Sequence, residues 1–527
     1  MKKLAMCIAF LGLGSVLHAQ DNLSALMPMP NQVKTLRSMP FLCVDGQISF
    51  RVVGEGLDFA QQQLCKVFQQ QMNMPLVAAP AGAEAAICLE IDARLKEKDR
   101  YQLTVAPAGI VIKGGTPGAV LYGVVTLNQL LTGDICTTRA KQIAAVSIDD
   151  APRFSYRALM LDPARHFLPV EDVKFFIDQM LKFKYNVLQL HLTDDQGWRV
   201  AIQKHPQLAS KEHYTQQELK EIIAYAAQRN IEVVPEVDIP GHTVAILSAY
   251  PELACAHRRG ETMKVGETVN RMLCASNQQV YRVMKDVLDE VCALFPSPLI
   301  HLGGDEAAVP ENWAKCADCQ ALMKKKGYTK PEQLMIPFFD RMLRVVRANE
   351  KRPVLWCELN NIYPPADDYL FPYPKDVVLV AWRGGLTPTC QELTYKNGQS
   401  LIMAPGEHAY FDYPQYTNDL PEHLNWGMPI TTLKQVYDFD PGYGRPQAEQ
   451  QHIWGVMGTL WGEAILDINR ATYMAFPRAL ALAEAGWTQM EHRNWESFRE
   501  RLYPNLTVLM KQGVSVRVPF EISAERE

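Results

Sequence analysis

The chain has 527 residues, too many for one ordinary core, and its 48% hydrophobic and 21% charged content is that of a globular protein of two or three units. A formal net charge of −5 without a basic stripe excludes a nucleic-acid binder, and says little about a neutral ligand. No stretch beyond the N-terminus reaches about 18 uninterrupted apolar residues, so no membrane span is expected.

The chain opens with Lys2 and Lys3, an apolar run from Leu4 to Leu17, and the small Ala19 before Gln20. This reads as a cleaved signal peptide over 1–19, too short to span a bilayer comfortably; export to the periplasm or the extracellular medium is expected. A buried N-terminal helix is the rival reading. From Gln20 to Asp150 short strands mix with few helices. Ala86–Asp92 reads as a strand, Tyr101–Val105 and Gly109–Lys113 as a hairpin, and Thr116–Leu131 as a helix stopping at Gly133. Residues 20–150 are therefore expected to form a small α/β domain, with no chemical constellation of its own.

After Ala151-Pro152 the rhythm changes. Short apolar strands fall at Tyr156–Leu161, Val187–His191, Ile231–Pro235, Leu299–Leu302, Pro353–Trp356, Val377–Ala381, Leu401–Ala404 and Ile453–Leu460. Helical stretches separate most of them, clearest at Gln216–Arg229 and Asn277–Leu294, with Ala475–Trp487 after the last strand. Repeated βα units over 151–500 predict an α/β fold, a (β/α)8 TIM barrel preceded by the small α/β domain, with a C-terminal tail over 501–527. An open doubly wound sheet is the structural rival, but no glycine-rich dinucleotide loop follows the first strand.

Nearly every strand runs directly into polar or aromatic residues. In order these are Asp162-Pro-Ala-Arg165-His166, Thr193-Asp194-Asp195-Gln196-Gly197-Trp198-Arg199, Glu236-Val-Asp238-Ile-Pro-Gly241-His242, Gly303-Gly304-Asp305-Glu306, Trp356-Cys357-Glu358, Trp382, Tyr410-Phe-Asp412 and Trp461-Gly-Glu463. In a barrel these ends converge on one face, where active sites of this fold sit. Carboxylates and tryptophans dominate and basic groups are few, which disfavours phosphate and suits sugars: carboxylates accept from hydroxyls, and tryptophans cover apolar ring faces. Trp356, Trp382 and Trp461 are candidate walls of such a pocket.

Glycoside cleavage usually sets two carboxyl groups across the bond. Asp305 and Glu306, adjacent on one strand end, cannot flank a sugar from opposite sides, but they can divide the work on one side. Glu306 would protonate the leaving oxygen. Asp305 would accept the N–H of a 2-acetamido group whose carbonyl oxygen attacks the anomeric carbon, and would balance the charge of the resulting oxazolinium-type intermediate. Tyr410 is placed to donate its hydroxyl to that carbonyl oxygen. The gain is a nucleophile already positioned when the sugar binds.

The string His301-Leu-Gly-Gly-Asp305-Glu306 resembles the signature of glycoside hydrolase family 20, the β-N-acetylhexosaminidases. So do Leu161-Asp-Pro-Ala-Arg-His-Phe167, His191-Leu-Thr-Asp-Asp-Gln-Gly-Trp-Arg199 and Pro235-Glu-Val-Asp-Ile-Pro-Gly-His242, over a resemblance running from about Tyr101 to Thr488. The resemblance implies release of terminal β-linked N-acetylhexosamine, GlcNAc or GalNAc, from glycans by a retaining, substrate-assisted mechanism. It implies Asp305 as the acetamido-polarising residue, Glu306 as general acid/base and Tyr410 as donor to the acetamido carbonyl. It further implies Arg157, Asp412 and Glu463 on the outer hydroxyls, Trp356, Trp382 and Trp461 around the ring, and Asp194, His242 and His301 as supports around Glu306. Three positions depart from the family pattern: Gln189 where many members carry a histidine, Cys357 in place of an acidic residue, and Ala307-Ala308 with no polar group for a leaving sugar.

No cofactor is expected, the partner is the glycan itself, and oligomeric state is left open. Alternatives in the same fold are a disaccharide-releasing, lacto-N-biosidase-like enzyme, a carbohydrate-binding barrel with a disabled site, and a metal-dependent hydrolase built on His191, Asp194, Asp195 and His242. The chain has twelve cysteines, one of them Cys7 in the leader. Cys255 and Cys274 bracket a polar loop that a disulfide could close. Cys316-x-x-Cys319 has zinc-ligand spacing, but no second pair of suitable spacing is visible, so a local disulfide or free thiols are expected there.

Overall fold

A computed structural model of the protein describes residues 22–42, 48–80, 82–132, 142–261, 271–358 and 373–519. The segment 1–19, with Cys7, and Gly133 lie outside them.

The first unit is built on a seven-stranded sheet. Its strands are β1 (Gln32–Thr35), β3 (Ile48–Val53), β4 (Leu76–Ala78), β5 (Ile87–Ile91), β6 (Tyr101–Ala106), β7 (Gly109–Gly114) and β9 (Val146–Asp150), ordered β1-β9-β6-β7-β5-β3-β4. The short β2 (Phe41–Leu42) and β8 (Gln142–Ile143) pair separately. β6 and β7 form the expected antiparallel hairpin. Their alternation buries Tyr101, Leu103, Val105, Ile110 and Ile112 on one face, beneath the helix Pro117–Thr132. A Cβ on Gly123 of that helix would lie 2.4 Å from the Ile112 side chain, so glycine sets how closely helix and sheet approach. The helix is buried nearly all round because it lies between this sheet and the second unit.

The second unit is a closed barrel of eight parallel strands: β10 (Tyr156–Leu161), β11 (Val187–His191), β12 (Glu232–Glu236), β13 (Leu299–His301), β14 (Arg352–Trp356), β15 (Val378–Ala381), β16 (Leu401–Met403) and β17 (Ile453–Leu460). The last strand pairs with the first, Tyr156 opposite Gly455 through Leu161 opposite Leu460. Side chains such as Ala158, Met160, Val234, Val354, Val380 and Met457 fill the interior, and a larger apolar cluster lies between strands and outer helices. Both faces of every strand are therefore buried, which is why the strands read as continuous apolar runs.

Two details differ from the sequence reading. The helix expected over Ala475–Trp487 begins at Arg478, and a separate helix, Ile468–Ala475, precedes it across Phe476-Pro477, since proline removes a backbone donor and crowds the preceding turn. The tail boundary at 501 falls inside the helix Trp495–Lys511. That helix is fixed to the barrel by the buried pair of Arg501 with Glu484 at 2.8 Å, and to the start of the described chain by Asn505 donating to the Ala25 carbonyl at 3.0 Å.

Candidate active site

The strand ends that close the top of the barrel surround a cavity of about 480 Å³. Its lining includes Arg165, His242, Asp305, Glu306, Trp382, Tyr410, Asp412, Trp461 and Glu463, drawn from loops after six strands.

Local chemistry sets the loop after β13. Gly303 and Gly304 adopt φ of 63° and 101°. A Cβ on Gly303 would lie 1.7 Å from Asp238 Oδ1, and the Gly304 N–H donates to that same oxygen at 3.1 Å. Only glycine lets the chain turn here against Asp238. Glu306 and His242, neither glycine, also have positive φ, 46° and 52°, a cost that active sites commonly carry. The turn sends the two acids to different depths. Asp305 is buried with Oδ1 unpartnered, whereas the Glu306 side chain is 54% exposed at the mouth.

A chain of charges runs beneath them. His242 Nε2 lies 3.7 Å from both Asp305 and Glu306, and its Nδ1 bonds Asp194 Oδ1 at 3.2 Å. Asp194 Oδ2 meets His191 Nε2 at 2.7 Å and Arg165 at 2.9 Å. His191 Nδ1 lies 3.0 Å from Glu236, which also accepts from Gln189 at 2.8 Å and from the Trp356 indole at 2.7 Å. Burial works against every charge here, but opposite charges outweigh it. Arg165 and His242 hold Asp194 well below the usual carboxylate range; Asp194 in turn keeps His242 protonated. The protonated His191 and the Gln189 hydrogen bond lower Glu236 against burial, and His191 is pushed up chiefly by Glu236. His301 differs: the Gly303 N–H donates to its Nδ1 at 3.0 Å, so that nitrogen carries no proton, and burial lowers the ring to about 4. Its 3.3 Å approach to Glu236 is therefore a contact between two acceptors.

The acids respond to this setting in opposite directions. The nearby imidazolium of His242 lowers Glu306, more than burial raises it. Burial raises Asp305, and it raises Asp412 well above the usual range with help from the charge of Glu463. Asp412 Oδ1, like Asp305 Oδ1, is buried without a partner. Buried acceptors in this state cost free energy until a donor arrives.

Aromatic rings form the rest of the wall. Trp382 and Tyr410 lie parallel, with an interplanar angle of 5° and centroids 6.4 Å apart; Tyr410 and Trp461 are 6.1 Å apart. The loop carrying Tyr410 and Asp412 is held from below by the buried Arg478, which donates to the carbonyls of Phe411 at 2.6 Å and Tyr413 at 2.9 Å. Asp162 clamps two other loops, accepting from Arg165 N at 3.0 Å and Gly462 N at 2.8 Å.

Most of the residues singled out in the sequence meet here, but four do not reach the cavity: Asp194, buried beneath His242, and Arg157, Trp356 and His301. Arg157 is not in the pocket. It is the second residue of β10, at the opposite end of the barrel, 1% exposed, and its guanidinium is taken up by Asp99 at 2.9 Å and by the carbonyls of Lys184 and Phe154 at 2.9 Å. Trp356 lies behind the wall, 1% exposed, its ring 5.6 Å from Trp461 and its N–H on Glu236. His301 is fully buried beside Glu236 and does not reach the cavity. Two cations do reach it, Arg383 and Arg165, the latter 2.9 Å from Asp162, 3.7 Å from Glu463 and 5.1 Å from the Trp461 ring centroid. For Arg165, its place directly after the end of β10 was the available signal. Glu236 stands in a strand-end cluster named from the sequence but given no role there, and two further groups lie outside the sequence reading: Arg383, which pairs with the buried Glu358 at 3.0 Å, and Trp426, 68% exposed on the rim against Tyr413.

His191, Glu236 and Asp238 stand close enough to share a metal ion, as do Asp194, Asp238 and His242. The donor chemistry argues otherwise: each nitrogen of His191 faces a carboxylate, and His242 faces Asp194 through one nitrogen and the acid pair through the other. Such rings are protonated partners of the acids rather than the neutral imidazoles a metal needs.

Comparison with known proteins agrees with this architecture. Residues 154–490 match the family model described as glycosyl hydrolase family 20, catalytic domain, and residues 23–151 match its domain 2. A β-hexosaminidase of Akkermansia muciniphila is 38% identical over 436 residues, covering 79% of this chain and 85% of the relative. An exo β-N-acetylglucosaminidase of Vibrio harveyi, solved with N-acetylglucosamine, superposes with a TM-score of 0.82 at 30% identity over 94% of this chain and 79% of its own. A mutant Streptomyces plicatus β-hexosaminidase, solved with product GlcNAc, gives 0.80 at 28% identity over 94% and 96%. Both units are matched in chain order, over far more than half of the sequence, and the chain belongs to glycosyl hydrolase family 20.

Proposed function

We propose that this glycoside hydrolase is an exo-acting β-N-acetylhexosaminidase that releases terminal β-linked GlcNAc or GalNAc with retention, using the substrate's acetamido oxygen as nucleophile. The observation that carries the reading is the depth difference within the acid pair. Asp305, buried and unpartnered at Oδ1, is set to accept an amide N–H; Glu306, at the mouth, is set against a leaving oxygen. The names of the relatives and the product in the Streptomyces structure support the same chemistry.

In the free site burial raises Asp305 and His242 lowers Glu306, each away from the direction its role requires. A bound sugar reverses both. An amide N–H donated to Asp305 favours its ionised form, and a leaving group covering Glu306 removes water and favours its protonated form. Only a substrate with an acetamido group completes the arrangement. Glu306 then gives its proton to the departing oxygen while the acetamido oxygen closes on the anomeric carbon. Asp305 balances the cation, Tyr410 donates to the attacking oxygen, and Glu306 takes a proton from the water that opens the ring. Asp412, Arg165 and Glu463 bind the outer hydroxyls; Trp382 and Trp461 cover the ring; and His242, backed by Asp194, sets the charge beside the acids.

Hydrolysis of an aryl β-N-acetylglucosaminide beside the matching β-glucoside tests this. Cleavage of the acetamido substrate alone supports the internal nucleophile, and equal cleavage of both overturns it. Cleavage of neither turns the reading toward disaccharide release or a binding barrel. Export is part of the proposal and rests on Lys2, Lys3, the apolar run to Leu17 and Ala19.

A further inference from the structure

Four cysteines far apart in sequence meet away from the cavity. Cys255 and Cys274 lie in the crossover after β12, Cys316 and Cys319 in the crossover after β13. All four are fully buried, and their sulfurs lie within 4.8 Å of one another. Cys274 Sγ and Cys319 Sγ are 3.6 Å apart. That is far beyond the S–S bond of about 2.0 Å. It is close to the edge, about 3.8 Å, of a tetrahedron whose corners stand about 2.3 Å from a central zinc. Cys255 and Cys316 complete the group, all four sulfurs being mutual neighbours, whereas a disulfide gives each sulfur a single partner.

We propose that Cys255, Cys274, Cys316 and Cys319 hold one structural metal ion in a closed tetrahedral thiolate site, with zinc as the resident ion. The backbone is arranged for it. Ala254 pairs with Leu273 and the Cys274 N–H donates to Leu253, which sets Cys255 and Cys274 side by side. Cys316 caps the helix Ala317–Lys326 and Cys319 sits in its first turn, where the N-terminal amides favour thiolates. Ser276 Oγ lies 3.2 Å from Cys274 Sγ and 3.5 Å from Cys319 Sγ, in reach of two ligands. Binding replaces four S–H bonds by four metal–sulfur bonds and releases the protons to solvent, with no redox change. The ion would join the two loops that carry the proton chemistry. Leu273 donates to Pro240, just before His242, and Trp313, beyond Glu306, donates to the Leu273 carbonyl at 2.9 Å.

The test is elemental analysis of the full chain purified without chelator, with zinc and iron both measured. One ion per chain is expected, lost in Cys255→Ser and Cys319→Ser and kept in Cys390→Ser, whose thiol is buried elsewhere. Titration of the unmutated protein with a mercurial should release one ion as four thiols are consumed, a readout that stands even where a variant fails to fold. A chain with neither metal, whether its mass shows disulfides or free thiols, overturns the proposal, as does an ion retained in both ligand variants.

Discussion

Arg157, near the start of β10, and Arg165, in the loop after its end, have opposite surroundings. At the lower end Arg157 spends its guanidinium on Asp99 and two carbonyls, stacked 4.8 Å from the Trp487 ring. Beside it Lys184 donates to the Tyr101 hydroxyl at 2.9 Å and pairs with Asp150 at 3.3 Å; burial lowers it to about 8. These groups join the small domain to the barrel. At the upper end the polar atoms are left waiting: Asp305 Oδ1, Asp412 Oδ1 and the Trp382 indole nitrogen are all buried and unpartnered. Among these lower-end groups only Asp99 Oδ1 is left without a partner, whereas at the upper end the unpartnered atoms converge on one cavity, which is what distinguishes a binding site from an interface.

The comparison breaks most directly at the acids. Glu306→Gln should lower kcat by about 10²- to 10⁴-fold. The loss should be greatest for leaving groups of high pKa, which most need the proton, and should come with an unchanged Tm because Glu306 is half-exposed. Asp305→Asn should lose on the order of 10²- to 10³-fold, the scale of removing one electrostatic stabiliser of a transition state. Near-normal turnover in Asp305→Asn would refute the substrate-assisted step.

Next in size is the lower end. Arg157→Met removes one partner of a buried pair and leaves Asp99 charged and buried. A loss of about 3–5 kcal/mol in unfolding free energy is expected, read by denaturant melts, with kcat and KM of the folded protein unchanged. A raised KM at unchanged stability would return Arg157 to the sugar. Arg165→Met should show the reverse emphasis, with activity falling because Asp194 loses its cation beside His242.

These two arginines also mark what the sequence could and could not tell. The eight strands were legible because strands buried on both faces leave unbroken apolar runs, and the mouth was legible because its polar clusters follow those runs at once. Arg157 reads as a sugar contact only through the family resemblance, against its position: a residue at the start of a barrel strand belongs to the lower face, and one past its end to the upper. Trp356 and Trp461 both end strands, and nothing local says which ring stands in front. The cysteine quartet was illegible for a different reason. Its two pairs come from separate crossovers, so the missing second pair appears only when the loops pack.

A subtler test concerns His242, whose charge depends on Asp194 and which lowers both acids by its proximity. His242→Gln removes that influence, so Asp305 and Glu306 should both titrate at higher pH. Asp305 must be ionised to act, and the acid limb of kcat/KM therefore moves up. Glu306 must be protonated, and the alkaline limb moves up with it. In the unmutated enzyme the acid limb of kcat should lie below that of kcat/KM, because the bound acetamido N–H favours ionised Asp305. Coincident limbs would mean that the substrate makes no such bond.

The smallest effect is expected at the rim. Trp426 is exposed and meets Tyr413 edge-on at 6.0 Å, beyond the rings that surround the first sugar. An aromatic face in that place suits a second sugar, and stacking of this kind is worth about 0.5–1.5 kcal/mol. Trp426→Ala should therefore raise KM for an oligosaccharide roughly 2- to 10-fold, while leaving KM for a small alkyl N-acetylglucosaminide as it was. Because Ala307 and Ala308 bring no polar group to the leaving sugar, the rim must supply that contact from another loop. Equal KM for both substrates in the variant would show that it does not come from Trp426.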